Sequence, residues 1–279
     1  MKSLIVDSGA TSTKWCLESE SISEAYYTEG LNPYYHTSQS ITGVINTNLL
    51  PKLKEHDIDE IHFYGAGCDN PEQKATVHRS LKEAFPNSEI EVEHDLLGSA
   101  RACFFDQPGI ACILGTGSNS CLYNGKKIIE HIPSLAFTLG DEGSAGYFGK
   151  KLLNSYFRYE VPADLKEKLD KEYNMDLDYI MANIYEGKQP SRFVASYARF
   201  LGDFAQHPFA RNILREGFEN FINRIIKKYS DAESYEVSFV GSVASAHKKL
   251  ITEILEEGGL TAGSFYRNPL DRLIAYHTN

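Results

Sequence analysis

Residues 3–17 read SLIVDSGATSTKWCL, and residues 109–123 read GIACILGTGSNSCLY. Each stretch begins with a short apolar run, continues through a loop of glycine, serine and threonine, and returns in a second extended run. A third extended segment follows in both places, at 22–28 and at 126–130. The pattern predicts a three-strand meander that occurs twice, which we interpret as a weak internal duplication.

Strands and helices alternate after the first meander. The spacing of apolar residues predicts helices over 38–50 and 71–85, and strands over 58–64 and 89–93. Alternation of this kind is typical of an α/β fold in which mixed sheets with some parallel pairing are flanked by helices.

The second half of the chain is mainly helical. Its best helix is predicted over 209–229, where apolar residues recur every three or four positions. A last buried strand is predicted over 235–240 and a helix over 244–256.

This organisation predicts two α/β domains. We place the first at 1–105 and the second at 106–279, with a helical insertion at about 145–230 in the second. The C-terminal helix is a candidate to pack back on the first domain.

The composition is that of an ordinary globular protein. Hydrophobic residues make up 42% and charged residues 24%, and 28 basic against 38 acidic residues give a formal net charge of −10. This balance argues against nucleic acid or an anionic membrane as a partner. No apolar run approaches the length of a membrane helix, and the N-terminus lacks a signal-peptide pattern, so we expect a cytoplasmic protein.

The cysteines and histidines give no metal-binding pattern. The five cysteines contain no CxxC pair, and the nine histidines show neither HExxH nor zinc spacing. We therefore expect reduced thiols and no structural metal site.

Two loops have the composition of phosphate-binding loops. The first offers Gly9, Thr11, Ser12, Thr13 and Lys14, and the second offers Gly115, Thr116, Gly117 and Ser118. Unshielded backbone N–H groups, hydroxyls and a cation suit phosphate oxygens. A polar hairpin turn is the alternative for either loop alone. Neither is a P-loop, because GxxxxGK[ST] does not occur and each loop returns as a strand.

Six short segments, spread over most of the chain, carry a resemblance to a known family. They are 7–14, 65–69, 95–102, 115–118, 140–144 and 239–243. The chain resembles the N-acetylglucosamine kinase branch of the BadF/BadG/BcrA/BcrD-type ATPases, in the superfamily of actin, sugar kinases and large heat-shock chaperones. The resemblance implies a two-domain actin-like ATPase fold with a duplicated ribonuclease H-like motif and a nucleotide in the interdomain cleft.

By this resemblance Asp95 is the catalytic base, which contacts the sugar and takes a proton from the attacking hydroxyl. The chemistry agrees, because a hydroxyl nucleophile needs an acceptor as its O–H bond breaks. Asp7 would lie near Mg²⁺, usually through water, since hard oxygen ligands suit that ion. The alternatives are that Asp95 caps the helix after it and that Asp7 is a strand-end turn residue.

The resemblance also assigns the two loops to the phosphates of ATP, and further residues to the sugar and to adenosine. Asn32, Asp141 and Gly140 would bind the sugar, while Gly241 and Ser242 would bind adenosine. Gly241 lets the nucleotide approach the backbone closely. The alternatives are a turn residue at Asn32, helix capping by Asp141 and a plain strand end at Gly241.

The implied activity is an ATP- and Mg²⁺-dependent kinase that phosphorylates the primary hydroxyl of an amino sugar, first of all N-acetylglucosamine. Glucosamine and N-acetylmuramic acid are alternative substrates, and Tyr34 is placed to line an acetamido pocket. Relatives commonly form homodimers.

Two other classes stay open. One is an ATPase that activates a partner dehydratase through a shared iron–sulfur cluster, for which Cys68 is the candidate ligand. The other is a nucleotide-binding scaffold without catalysis.

Overall fold

The chain forms two compact units in the computed structural model. One unit comprises Met1–Gln107 together with Asn268–Asn279, and the other comprises Pro108–Arg267. The structure describes residues 2–9, 11–53 and 57–278. The boundary lies between Gln107 and Pro108, two residues after the predicted boundary between 105 and 106. The second unit ends before the C-terminal helix.

The first unit contains a five-stranded mixed sheet. Its strands are β1 (Ser3–Ser8), β2 (Ser12–Glu18), β3 (Ser23–Glu29), β4 (Glu60–Gly65) and β5 (Glu89–His94). The spatial order is β3-β2-β1-β4-β5, with β1 antiparallel to β2 and parallel to β4. Leu4 and Val6 join one buried cluster and Ile5 joins another, because both faces of the central strand are covered.

The second unit contains a sheet of the same design. Its strands are β6 (Pro108–Leu114), β7 (Ser118–Asn124), β8 (Ile128–Glu130), β9 (Glu236–Val240) and β10 (Thr261–Tyr266). The order is β10-β9-β6-β7-β8, with β6 antiparallel to β7 and parallel to β9. Each sheet is therefore a meander of three strands followed by two parallel strands, which confirms the predicted duplication and the actin-like fold class.

Three helices follow the first meander: α1 (Ser38–Val44), α2 (Pro71–Ala84) and α3 (Asp95–Phe104). The helix predicted over 38–50 is an α-helix only as far as Val44. A π-helical turn then covers Ile45–Leu49, and a 3₁₀ turn covers Leu50–Lys52. Helix α2 begins as predicted, with proline in its first turn and the Asn70 side chain accepting from the Gln73 N–H group.

Nine helices belong to the second unit. They are α4 (Ala136–Leu139), α5 (Ala145–Phe157), α6 (Ala163–Glu172), α7 (Leu177–Tyr185), α8 (Pro190–Ser196), α9 (Ala198–Asp203), α10 (Pro208–Arg224), α11 (Ser242–Ala246) and α12 (Lys248–Glu257). Helix α10 ends at Arg224 and a 3₁₀ turn covers Ile226–Lys228, so the helix predicted over 209–229 is shorter than expected. The helix predicted over 244–256 is interrupted at His247, where ψ is 21°.

The last helix is α13 (Leu270–Thr278), which packs against α3 in the first unit. Its Leu270 and Leu273 are fully buried beside Ile5 and Tyr64. Strand β10, which precedes it, was not expected from the sequence. No helix in the described parts of the chain has both the length and the apolar character needed to cross a membrane.

Candidate active site

The first candidate phosphate loop joins β1 to β2. The Gly9 N–H group donates to the Ser12 carbonyl at 3.0 Å, which closes a tight turn. The Ser12 side chain is exposed, that of Thr11 is half-buried, and Ala10 lies outside the described residues. Lys14 is half-buried, with Nζ 3.9 Å from an exposed carboxylate of α13. Gly9, Thr11, Ser12 and Lys14 are thus brought together at one turn.

A pair of buried hydroxyls fixes the base of this loop. The Thr13 hydroxyl donates to the Glu29 carbonyl at 2.9 Å and lies 2.8 Å from the Ser8 hydroxyl. Because the single Thr13 proton goes to Glu29, the Ser8 hydroxyl donates to Thr13. The Ser8 oxygen also accepts from the Leu31 N–H group at 3.1 Å. Thr13 therefore shapes the loop, and a contact of its hydroxyl with phosphate stays a prediction.

Two of the candidate carboxylates are neighbours in the first unit. Burial, together with the nearby charge of Asp95, raises the pKa of Asp7 to about 7, and Lys14 opposes this shift. Burial also raises the pKa of Asp95. Raised carboxylate pKa values of this kind are common where a proton is transferred or a cation is bound.

Asp95 is the first residue of α3, directly after β5. The N-cap position belongs to His94 and not to Asp95, because the His94 Nδ1 atom accepts from the Leu96 N–H group at 3.3 Å. The ring proton is therefore on Nε2, which lies 3.2 Å from the Asp95 Oδ1 atom. His94 is thus a close neighbour of one Asp95 carboxylate oxygen, which the sequence alone did not reveal.

The candidate sugar residue of the first unit lies where two loops adjoin. The Asn32 Oδ1 atom accepts from the Tyr34 N–H group at 2.9 Å, so Asn32 is also a turn residue. The Tyr34 hydroxyl donates to the Asp69 Oδ1 atom at 2.9 Å. A Cβ atom at Gly67, where φ is +81°, would lie 2.4 Å from the Asn32 Oδ1 atom. The charge of Asp69 also acts on the pKa of Asp95, so these residues share one neighbourhood.

The second candidate phosphate loop joins β6 to β7 and is seated on helix α5. The Gly115 N–H group donates to the Gly117 carbonyl at 3.0 Å. The carbonyls of Gly115 and Thr116 accept from the N–H groups of Ala145 and Gly146, each at 2.9 Å. The first turn of α5 therefore fixes the backbone of this loop.

Asp141 is bonded to the second loop. Its Oδ1 atom accepts from the Ser118 N–H group at 3.1 Å, and a Cβ atom at Gly117 would lie 2.9 Å from Oδ2. Burial raises the pKa of Asp141. Helix α5 is capped by Ser144, so the capping alternative for Asp141 is wrong. The neighbouring Gly140 has no room for a side chain, because its Cβ atom would lie 1.8 Å from a carbonyl oxygen.

The Ser118 hydroxyl oxygen is buried and has no hydrogen-bond partner in the described residues. Buried hydroxyls are normally satisfied, so an orphan one at a candidate phosphate loop is consistent with a ligand that completes the site.

A cavity of about 1050 Å³ lies within the second unit, beside the candidate adenosine residue Ser242. Ser242 lines it, together with Val243, His247, Arg267 and Tyr173. Gly241 has φ of +125°, and a Cβ atom there would lie 2.2 Å from the Leu114 carbonyl oxygen. Gly241 therefore ends β9 in a conformation that requires glycine and sets Ser242 beside the cavity.

Cys68, the candidate cluster ligand, is fully buried, and all five cysteines are free. Burial raises the pKa of the Cys68 thiol to about 12. A buried thiol of this kind is typical of a cysteine that packs as a small apolar side chain.

Comparisons with known proteins agree with this description. No protein-family model and no curated protein matches the chain. The solved structure of the "Putative N-acetylglucosamine Kinase" of Porphyromonas gingivalis is 34% identical, covers 98% of each chain and superposes with a TM-score of 0.94.

Two further solved structures are more distant. The "Putative N-acetylglucosamine Kinase" of Chromobacterium violaceum is 14% identical over 99% of this chain and 98% of that one, with a TM-score of 0.69. A ROK family glucokinase from Streptomyces griseus, in complex with glucose and AMPPNP, is 14% identical over the same shares, with a TM-score of 0.58. At this identity the two comparisons show the fold alone.

The duplicated sheets define an actin-like ATPase fold. The chain belongs to the sugar kinases of that superfamily. Membership of the BadF/BadG/BcrA/BcrD branch stays a prediction.

Proposed function

We propose that the protein is an ATP- and Mg²⁺-dependent kinase that converts N-acetylglucosamine to N-acetylglucosamine 6-phosphate. The observation that carries the proposal is the setting of Asp95, a partly buried carboxylate with a raised pKa at the start of α3. It lies in the neighbourhood of the Asn32 and Asp69 loops, where a sugar could be bound. The name of the 34% identical Porphyromonas gingivalis protein supports the choice of substrate.

In this reaction Asp95 is the general base. It accepts the proton of the sugar 6-hydroxyl while that oxygen bonds to the γ-phosphorus and the bond from phosphorus to the ADP oxygen breaks. The His94 Nε2 atom lies 3.2 Å from the Asp95 Oδ1 atom, so His94 is beside one carboxylate oxygen, and we assign the other to the substrate. A raised pKa makes the Asp95 carboxylate a stronger proton acceptor.

ATP would be held by both candidate loops and by the cavity of the second unit. Thr11 and Ser12 offer hydroxyls and Lys14 offers a cation to the phosphates, while the Gly9 N–H group closes the turn that brings them together. The second loop offers its hydroxyls in the same way, including the orphan Ser118 oxygen. The cavity beside Gly241 and Ser242 has room for adenosine, and a pocket of this size is typical of small-molecule sites.

Mg²⁺ fits the carboxylate of Asp7. The raised pKa of Asp7 reports a carboxylate that is costly to ionise beside Asp95, and a hard cation would offset that cost. When bound, the ion supplies positive charge to the phosphates. Lys14 supplies a second positive charge on the same loop.

Asn32 and Asp141, with Gly140, are the residues we propose for the sugar hydroxyls. The exposed Tyr34 ring, fixed through its hydroxyl to Asp69, would pack against the acetamido group. Glucosamine has no acetyl group to pack there, and N-acetylmuramic acid carries an additional carboxylate. Both are therefore informative competitors in an assay. A homodimer and a cytoplasmic location stay predictions.

The test is to incubate the protein with ATP, Mg²⁺ and one sugar at a time, and to measure ADP and phosphosugar by mass spectrometry. We expect equal amounts of ADP and N-acetylglucosamine phosphate. Asp95→Asn should abolish both, whereas Asp106→Asn, an exposed carboxylate just beyond the other end of α3, should have no effect. ADP release without any phosphosugar would contradict the proposal.

A further inference from the structure

The C-terminal helix α13 is joined to the helix that carries Asp95. The Arg272 Nε atom donates to the Ala102 carbonyl, near the end of α3, at 3.2 Å. The His277 Nε2 atom lies 2.8 Å from the hydroxyl of Tyr64 on β4. The first contact joins α13 to the helix that begins with the candidate base, and the second joins α13 to β4.

Tyr64 lies at the centre of this network. It is buried, and its hydroxyl oxygen accepts from the Arg101 Nη1 atom at 2.6 Å. The Tyr64 hydroxyl proton is then free to be donated to the His277 Nε2 atom. This donation requires that the imidazole is neutral, so that Nε2 carries no proton. Burial lowers the pKa of His277 to about 4, so the imidazole is neutral at physiological pH. The same Arg101 atom also lies 3.0 Å from the Glu91 Oε1 atom on β5.

Helix α3 rests directly on the Tyr64 ring. A Cβ atom at Gly98 would lie 2.7 Å from the Tyr64 Cδ1 atom, so only glycine allows this approach. Gly98 lies three residues after Asp95, which is less than one helical turn. A movement of the ring would therefore be transmitted to the start of α3, where a small displacement of a base is costly.

Metal binding is the other chemistry that this cluster suggests. Donor atoms of His62, Glu91 and His277 all lie within 4.8 Å of one another. The rings of His62 and His277, however, are stacked with centroids 3.7 Å apart and an interplanar angle of 17°. Lone pairs in two parallel planes do not converge on one ion, and Arg101 already neutralises Glu91. The contacts favour a hydrogen-bond network.

We propose that His277 is a positioning residue for Asp95, acting through the Tyr64 hydroxyl and the face of α3 that packs on the Tyr64 ring. The role of Asp95 in this inference rests on the proposed function. The effect on α3 does not, and it can be measured without any substrate.

The test compares His277→Ala, His277→Gln and Tyr64→Phe with the wild type. His78→Ala is the matched control, because His78 is an exposed histidine on α2 of the same unit. Hydrogen exchange over residues 95–104 is measured together with kcat and KM for the kinase reaction. Glutamine keeps an acceptor for the Tyr64 proton, whereas alanine leaves that proton without a partner.

We expect His277→Ala and Tyr64→Phe to speed exchange in α3 about tenfold and to lower kcat about tenfold, with KM for ATP nearly unchanged. His277→Gln and His78→Ala should resemble the wild type. Unchanged exchange in α3, or an equal increase throughout the first unit, would overturn the inference. If the wild type forms no phosphosugar, the proposed function fails, and the exchange data still decide whether His277 holds α3.

Discussion

The hairpin β1–β2 and the hairpin β6–β7 have the same strand pairing and different internal bonds. In the first, the side-chain hydroxyls of Ser8 and Thr13 close the base of the loop. In the second, the Asp141 carboxylate accepts from the loop at Ser118, and the first turn of α5 binds the loop carbonyls. The duplication has preserved the backbone scaffold while the two loops are stabilised by different groups.

The difference also separates two kinds of carboxylate. Asp7 and Asp95 in the first unit lie close enough for their charges to interact, and burial raises the pKa of both. Burial raises the pKa of Asp141 as well, but one of its carboxylate oxygens accepts from the loop that it supports. In the proposed function the first hairpin adjoins the carboxylates to which we assign proton transfer and the cation, and the second hairpin is fixed in place before its proposed ligand binds.

The largest expected effect comes from exchanging the carboxylates for amides, one in each unit. Asp95→Asn removes the proposed base and should lower kcat about 1000-fold. Asp141→Asn keeps an oxygen that accepts from Ser118 and should mainly raise KM for the sugar, about tenfold. Steady-state kinetics with N-acetylglucosamine checks both. Equal losses of kcat would contradict the division of labour between the two units.

Alanine in place of one glycine in each loop tests the rigidity of the loops. A Cβ atom at Gly117 would lie 2.9 Å from Asp141 Oδ2, whereas one at Gly9 would lie 3.7 Å from the Ser12 carbonyl oxygen, which is an ordinary contact. Gly117→Ala should therefore displace Asp141 and lower kcat/KM about 100-fold, while Gly9→Ala should change it less than threefold. Melting temperatures of both variants show whether either has lost its fold. A larger loss in Gly9→Ala would reverse the comparison.

The pH dependence of the free energy of unfolding reports the cost of ionising the Asp7 carboxylate in the folded protein. Its pKa is about 7 in the folded protein and near 3.8 when unperturbed, so the folded state holds the proton more tightly. The resulting stability is fully present below pH 4 and is lost as the pH rises to about 7. Asp7→Asn removes this dependence.

Thermal melting of Asp7→Asn and the wild type at several pH values measures this effect. The melting temperature of the variant, relative to the wild type, should rise by a few degrees between pH 4 and pH 8. Asp106→Asn, an exposed carboxylate in the same unit, serves as the control. A constant difference at all pH values would contradict the assigned pKa.

Sequence patterns were sufficient for most of the fold and for the positions of the loops. Both meanders were predicted because a short apolar run is followed in each by a loop of glycine and hydroxyl residues and by a returning extended run. Strand β10 was missed because its sequence, TAGSFY, is rich in small and polar residues and the strand lies at a sheet edge. The interruption at His247 has no local signal, since neither glycine nor proline occurs there.

The chemistry of the candidate site was less accessible from sequence. His94 and Ser144 hold the N-cap positions that local reasoning offered to Asp95 and Asp141. The bond from Ser118 to Asp141 joins residues 23 positions apart, so no local pattern reports it. The nearest sequence signals were a histidine directly before Asp95 and a serine at the start of α5.

The smallest expected effects are those of substitutions at two neighbouring hydroxyl residues of the first loop, Ser12 and Thr13. Thr13→Val removes a buried hydroxyl that links Ser8 to the Glu29 carbonyl, and should lower the free energy of unfolding by about 1 kcal/mol. Ser12→Ala removes an exposed hydroxyl and should leave stability unchanged while raising KM for ATP. Denaturant unfolding and kinetics of both variants check this. If Thr13→Val raised KM for ATP without loss of stability, Thr13 would bind phosphate directly, and the two loops would be more alike than their internal bonds indicate.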